Sequence, residues 1–71
     1  MSFSLLDVVR LEVDIPKENL IKGMKGTIVH ELSVPGIAYE VEFTSPEPGE
    51  LWTVALLPEQ ISLVWKEGRV R

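Results

Sequence analysis

The stretch that decides the fold is Gly23-Met24-Lys25-Gly26-Thr27-Ile28-Val29, in which a turn with two glycines is followed by β-branched residues. Glycines are typical of positions where the backbone needs a positive φ or where another segment approaches closely. β-branched residues favour a strand. We therefore predict a strand from Gly26 to about Leu32, entered through a tight turn.

Four further segments have the composition of strands. In the second of them, Tyr39, Val41 and Phe43 alternate with two glutamates, so one face is predicted to join the core and the other to face water. The segment Leu51–Leu57 is apolar on both sides apart from Thr53. The four segments are Asp7–Leu11, Ala38–Thr44, Leu51–Leu57 and Ile61–Trp65.

The segments between the strands predict loops and one 3-10 turn. Asp14–Lys22 contains a proline and an asparagine, which favour a long irregular loop. Ser33–Ile37 contains a Pro-Gly turn. Two prolines and a glycine in Ser45–Glu50 predict a hairpin loop, and Pro58-Glu59-Gln60 suits one 3-10 turn before the last strand.

Five short strands, a long first loop and that 3-10 turn predict an all-β, five-stranded SH3-like barrel. The competing fold at this size is the OB-fold, which usually has a helix between its third and fourth strands. The prolines in that gap leave no room for a helix. We predict a single domain over residues 1–71, with an apolar lead-in at residues 1–6 and a polar tail at residues 66–71.

The pairing of the second and third strands raises a conflict in side-chain direction. Placing Val41 opposite His30 puts a histidine inside, and a shift by one residue sets Ile28 opposite a glutamate. Either a β-bulge resolves the conflict, or His30 lies at the barrel rim near Tyr39. We favour the bulge, because an SH3-like barrel needs a strongly bent second strand.

Composition excludes several classes of protein. The 71 residues are 45% hydrophobic and 25% charged, which is typical of a globular domain with one small core. The absence of cysteine excludes disulfides and thiolate metal sites. Apolar runs fall far short of the roughly 20 residues that span a membrane, and the first residues lack the basic region of a secretory signal. We expect a cytoplasmic protein with no membrane contact.

The residues offer little for catalysis or metal binding. His30 is the single histidine, and nothing in the sequence orients it as a base. Glu40 and Glu42 are predicted to lie ~7 Å apart on a convex solvated face, where no cleft desolvates an acid. No spacing of histidine and carboxylates predicts a metal site. We therefore predict a non-enzymatic protein without metal, cofactor or small-molecule substrate.

The two tryptophans are the best candidates for binding a partner. A barrel of this size has little room for two indoles besides its other aromatic residues, and exposed aromatics often anchor interfaces. The alternative is that one tryptophan caps the open end of the barrel. Apolar residues of the lead-in add to the surface and favour a fixed protein partner or a homo-oligomer. The predicted partner-binding residues are Trp52, Trp65, Phe3, Leu5 and Leu6.

Five motifs between Asp7 and Val64 carry a resemblance to a known family. They are Asp7-Val8-Val9, Gly23–Val29, Ala38–Phe43, Val54–Leu57, and Pro58–Ile61 followed by Leu63-Val64. In these motifs the chain resembles an uncharacterised family of short bacterial proteins, common in cyanobacteria, known as domain of unknown function 4926. The resemblance implies a single small domain with no established activity. For some members it implies a second small protein encoded alongside, as in a toxin–antitoxin-like pair.

A more distant similarity links Gly23 and Gly26-Thr27-Ile28 to the KOW element of ribosomal and transcription-elongation proteins. It implies the alternative function of nucleic-acid binding, with RNA as the ligand. The basic residues available for this are Lys17, Lys22, Lys25, Lys66 and Arg69, together with Arg71. A net charge of −4 weighs against this alternative, because polyanion binding depends on a clustered basic face.

Overall fold

The computed structural model describes residues 3–33, 36–44 and 51–66. Its strands are β1 (Val8–Leu11), β2 (Lys25–Leu32), β3 (Ala38–Thr44), β4 (Leu51–Leu56) and β5 (Ile61–Trp65). All five strands are antiparallel and form one sheet in the order β4-β3-β2-β1-β5. The predicted all-β class is confirmed. The sheet is not closed into a barrel, and β4 and β5 are its two edges.

Two of the described connections contain a 3-10 turn, one of them predicted and one not. Pro58–Gln60 forms the predicted 3-10 turn before the last strand. The first loop contains a second 3-10 turn at Pro16–Glu18, where the sequence predicted irregular structure. Asn19 ends this turn at φ 59, and a bridge between Ile15 and Leu20 closes it. Proline at the start and a left-handed asparagine at the end are both typical of short helical turns.

Some sequence predictions lie outside the described residues. These are the first two residues of the lead-in, Pro35 of the Pro-Gly turn, the hairpin loop at 45–50 and the tail at 67–71.

The core lies on one side of the sheet, which we call the inner face. Tyr39, Val41 and Phe43 are all buried, as their alternation predicts. The intervening Glu40 and Glu42 are half-buried rather than fully solvated. The remaining buried apolar residues are Val9, Leu11, Leu20, Ile28, Leu56 and Ile61.

A shift in the β2–β3 pairing confirms the bulge that the sequence analysis favoured. Ile28 pairs with Val41 and His30 pairs with Glu40, so Val29 is the extra residue in β2. A bulge bends its strand and increases the local twist. Ile28 is thereby buried while His30 is exposed, which removes the conflict in side-chain direction.

The two glycines of the deciding stretch are needed for different reasons. Gly23 has φ +97 and open space around it, so it provides a backbone conformation that other residues rarely adopt. Gly26 is buried, and a Cβ there would lie 2.6 Å from Cγ1 of Val41 and 2.8 Å from the carbonyl oxygen of Glu42. The structure thus confirms both predicted uses, one at each glycine.

Candidate functional site

The predicted partner-binding residues fall into two groups, and the first group, Phe3 and Trp52, packs against the core. The ring of Phe3 meets Tyr39 edge-on, with centroids 5.4 Å apart and planes at 85°. The Phe3 backbone N–H also donates to the Tyr39 hydroxyl at 3.3 Å. Trp52 lies against Phe43 with ring centroids 6.2 Å apart. Phe3 and Trp52 are therefore partly buried residues that pack on the core.

The second group is exposed and lies at one end of the sheet. Leu5, Leu6 and Trp65 are 51%, 52% and 51% exposed. Trp65 pairs with Val8, only two residues after Leu6. The Leu6 N–H donates to the carbonyl oxygen of Ile28 at 2.7 Å, which fixes the turn beside β1. We define the terminal apolar patch as Leu5, Leu6, Val8, Val64 and Trp65.

The two tryptophans do not share a strand surface. Trp52 lies on β4 and Trp65 on β5, which are opposite edges of the sheet with three strands between them. The two tryptophans therefore lie at two separate locations, and not on the single surface that the sequence suggested. Only Trp65 is accompanied by the exposed leucines of the lead-in.

A bulge in β5 sets the direction of Trp65. Val9 pairs with Leu63 and Val8 pairs with Trp65, which leaves Val64 as the extra residue. Cross-strand partners share a face, so Leu63 lies on the face of the buried Val9, where it is still 40% exposed, and Trp65 lies on the opposite face beside Val8. A strict alternation from the buried Ile61 would have turned Trp65 inward. No signal in the sequence of β5 indicates this bulge.

A buried carboxylate fastens the patch to the fold. Asp7 is 0% exposed, and its Oδ2 lies 2.9 Å from Nζ of Lys66, the residue after β5. The same oxygen accepts the Ser4 backbone N–H at 2.8 Å, while the Asp7 N–H donates to the Ser4 carbonyl at 3.1 Å. The Lys66 ammonium also lies 3.3 Å from Oγ of Ser4. These bonds hold the lead-in turn against the end of β5.

Sequence reasoning missed this arrangement. It placed Lys66 among the bases of the nucleic-acid alternative and gave Asp7 no role. The available signal was an aspartate inside the apolar run at residues 5–9, because a carboxylate in such a run is buried only when it is paired and hydrogen-bonded.

The other predicted bases that the structure describes lie close to acidic groups. Lys17 and Lys22 are exposed in the first loop, where the Lys22 N–H donates to Oδ1 of Asp14 at 2.7 Å. Lys25 begins β2 and is the cross-strand partner of Arg10, whose Nε lies 3.4 Å from Oε2 of Glu12. Acidic groups thus interleave with these bases. Arg69 and Arg71 lie outside the described residues.

Neighbouring groups lower the pKa of the Glu12 carboxyl, which lies between β1 and the first loop. The Ser62 hydroxyl donates to Oε2 of Glu12 and lowers the pKa of the carboxyl below its ordinary value. The charge and hydrogen bond of Arg10 add to this lowering, and partial desolvation opposes it. These neighbours favour the anionic form of Glu12 beside β1 and β5.

Two searches of the described residues bear on other functions. Within residues 3–33, 36–44 and 51–66, no group of three or more His, Asp or Glu is placed to hold a metal ion. Over the same residues, no helix has the length and apolar character to cross a membrane.

Comparison with known proteins identifies the family. None of the curated proteins matches the chain, and neither does any solved structure. The family model described as Domain of unknown function (DUF4926) matches residues 5–62. That range includes the deciding glycine turn, the β2 bulge and all strands except the end of β5. The chain belongs to the DUF4926 family.

Proposed function

We propose that the protein is a non-enzymatic, SH3-like interaction module of the bacterial cytoplasm, which binds another protein through the terminal apolar patch. The pairing of β5 with β1 and the bend in β2 support the SH3-like assignment. One partner of this kind is the second member of a paired, toxin–antitoxin-like system.

The observation that carries the proposal is the backbone of Leu6. This residue has φ 70 and is 52% exposed. A left-handed conformation costs an ordinary L-residue about 1–2 kcal/mol. The exposed half of the Leu6 side chain contributes no burial in the core that would offset this cost. A strained backbone that presents an apolar side chain to solvent supports a role in binding.

The composition of the patch supports a protein partner. Four of its members, Leu5, Leu6, Val64 and Trp65, are each more than 40% exposed. Apolar patches on monomers seldom exceed a few hundred Å², and the largest are often functional. Tryptophan is also the residue most enriched among interface anchors. The Asp7–Lys66 ion pair holds the lead-in leucines in a fixed position relative to Val64 and Trp65. This pre-organisation reduces the conformational entropy that is lost on binding.

The experiment compares the native protein with Trp65→Ala and a matched control, Ile21→Ala, which removes a 64% exposed side chain elsewhere. Each immobilised protein is incubated with lysate of the native organism and then with the purified candidate partner. We expect the partner to bind the native protein and Ile21→Ala, and to lose at least about tenfold in affinity for Trp65→Ala. Unfolding curves that show all three proteins fully folded at the assay temperature are the control for folding. Unchanged affinity for a Leu6→Ala/Trp65→Ala double variant would contradict the proposal.

The nucleic-acid alternative rests on the exposure of three lysines, Lys17, Lys22 and Lys25, in and directly after the first loop. Its weakness is that Lys66 is engaged by Asp7 and that Asp14 and Glu18 lie among the other bases. A gel-shift titration at low salt tests it, because phosphate contacts are strongest there. Retention of RNA that is lost in Lys22→Ala/Lys25→Ala would replace the protein-binding proposal.

A further inference from the structure

The free edge of β4 is a regular, uncharged strand. Leu51–Leu56 reads Leu-Trp-Thr-Val-Ala-Leu, without a charge, proline or glycine. Its pairing with β3 runs without a shift from Leu51 opposite Thr44 to Leu56 opposite Tyr39. Proteins usually protect such edges with lysines, prolines or bulges, because unpaired N–H and C=O groups attract another strand. Within the described residues, β4 has none of these protections.

The opposite edge is protected. β5 carries the bulge at Val64, which interrupts its ladder, and it is followed by Lys66 held on Asp7. Regular pairing between β4 of one molecule and β5 of another is therefore disfavoured. That heterologous contact would also leave a free edge at each end and grow into a fibre. Pairing of β4 with β4 is isologous and stops at two chains.

We propose that β4 is a self-association edge, at which two copies of this chain pair β4 with β4 antiparallel about a two-fold axis. The five-stranded sheet of each copy then continues into that of its partner. This surface is separate from the terminal apolar patch, and the inference goes beyond the proposed function.

The charge of β4 is compatible with a second copy as the occupant, and its regular apolar pattern is complementary to itself. A charged edge would face its own like charge across a two-fold axis, whereas β4 is neutral. In the described sheet, the acidic residues that pair with β4 are Glu40 and Glu42, which lie one strand inward on β3. Across the dimer they are separated from their equivalents by three strand spacings, about 14 Å, which exceeds the Debye length of about 8 Å. Repulsion between these glutamates and their equivalents in the second copy therefore opposes the contact little.

The faces of β4 restrict the register. Trp52, Val54 and Leu56 pair with the buried Phe43, Val41 and Tyr39 and lie on the inner face. A slip by one residue would place them on the face of Thr53 and Ala55. The two-fold axis therefore passes through a residue of β4, and Thr53 and Val54 are the two positions that pair the largest part of the strand. In both registers the half-buried Trp52 and Val54 continue the apolar layer into the second copy.

The test is a double variant, Thr53→Lys/Ala55→Lys. If the axis is centred on Val54, the lysine introduced at position 53 faces the one introduced at position 55 of the other copy. If the axis is centred on Thr53, the lysine at that position faces its own equivalent. Like charges directly opposite are disfavoured in either case.

The fold should tolerate these changes, because the Thr53 hydroxyl already donates to Oε2 of Glu40 at 3.2 Å and a lysine can pair with that carboxylate. Glu59→Lys, at an exposed residue, changes the net charge by the same amount and is the matched control.

Sedimentation equilibrium from about 1 µM to about 1 mM covers association free energies of roughly −8 to −4 kcal/mol. We expect the native protein and Glu59→Lys to form dimers and nothing larger, and the double variant to associate at least about 100-fold more weakly. Hydrogen exchange should show protection of β4 amides that rises with concentration, while β5 amides stay unchanged.

Three results would overturn the inference: a native protein that is monomeric at about 1 mM, a dimer broken by Trp65→Ala but not by the two lysines, or growth beyond two chains. Circular dichroism checks folding, and the single variant Thr53→Lys replaces the double variant if the latter unfolds. Partner binding by the double variant separates the two proposals, since the terminal apolar patch is intact in it.

Discussion

The ammonium of Lys66 lies 2.9 Å from Oδ2 of Asp7, a carboxylate that is completely buried. The two residues are 59 positions apart, so this contact joins the two ends of the described chain. A buried charge depends on its partners, and removal of one partner costs more than the pair contributes in net terms.

The first prediction concerns this pair. Lys66→Met should lower the free energy of unfolding by about 1–3 kcal/mol, because the Asp7 carboxylate loses an ionic partner while it stays buried. Asp7→Asn/Lys66→Met should cost less than the sum of the two single changes, with a coupling of at least about 0.5 kcal/mol. Urea denaturation measures all four proteins of the cycle. Strict additivity would show that the contact contributes nothing.

The second prediction ranks three glycines. Gly26→Ala should destabilise most, by about 1–3 kcal/mol, since its Cβ would collide with backbone and side-chain atoms of β3. Gly23→Ala should cost about 1 kcal/mol from its positive φ alone. Gly36→Ala has open space and no positive φ, and it should be neutral or slightly stabilising. Thermal unfolding checks the order, and a larger loss at Gly36 than at Gly26 would contradict it.

The third prediction separates the tryptophans by stability. Trp52→Ala removes a ring that packs on Phe43 and should lower the free energy of unfolding by about 2–3 kcal/mol, less than for a fully buried ring. Trp65→Ala removes a 51% exposed ring and should cost under about 1 kcal/mol. Denaturant titration of both variants gives the difference. If the two losses are equal, or if Trp65→Ala is the more damaging, Trp65 contributes to the core.

The fourth prediction concerns acid. Because the folded state lowers the pKa of Glu12, the resulting stabilisation is present above the ordinary glutamate pKa and is lost as the pH falls through the folded value. Ser62→Ala removes the main cause of the lowering, so its stability should fall less steeply than that of the native protein between about pH 5 and pH 3. An NMR titration should show a higher pKa for Glu12 in the variant. An unchanged titration midpoint would exclude the Ser62 hydroxyl as the cause.

Much of the fold could be predicted from local pattern. The alternation around Tyr39 and Phe43 identified β3 to the residue, because a half-buried strand has a strict period of two. That period also exposed the conflict between β2 and β3, for which a bulge was the favoured solution and His30 at the rim the alternative; its position at Val29 comes from the pairing in the sheet. Proline gave the position of the 3-10 turn before β5.

The candidate site was harder to predict because it depends on contacts between distant residues. The lysine that neutralises Asp7 follows the last strand, and only the pairing of β1 with β5 brings the two together. The exposure of Trp65 depends on a bulge at Val64 that no turn residue marks. The sequence therefore grouped Trp52 with Trp65 by residue type, whereas the sheet places them at opposite edges.

The extra residue in β2 has a consequence for how the length of this strand can vary. Ile28 and His30 pair with the adjacent residues Val41 and Glu40, so a chain without Val29 would keep both of those pairs. Such a deletion would remove curvature and leave the pairing partners unchanged. In most strands, the loss of one residue moves every later side chain to the opposite face of the sheet. Loss of Val29 would instead straighten β2, and every later side chain of β2 would stay on its present face.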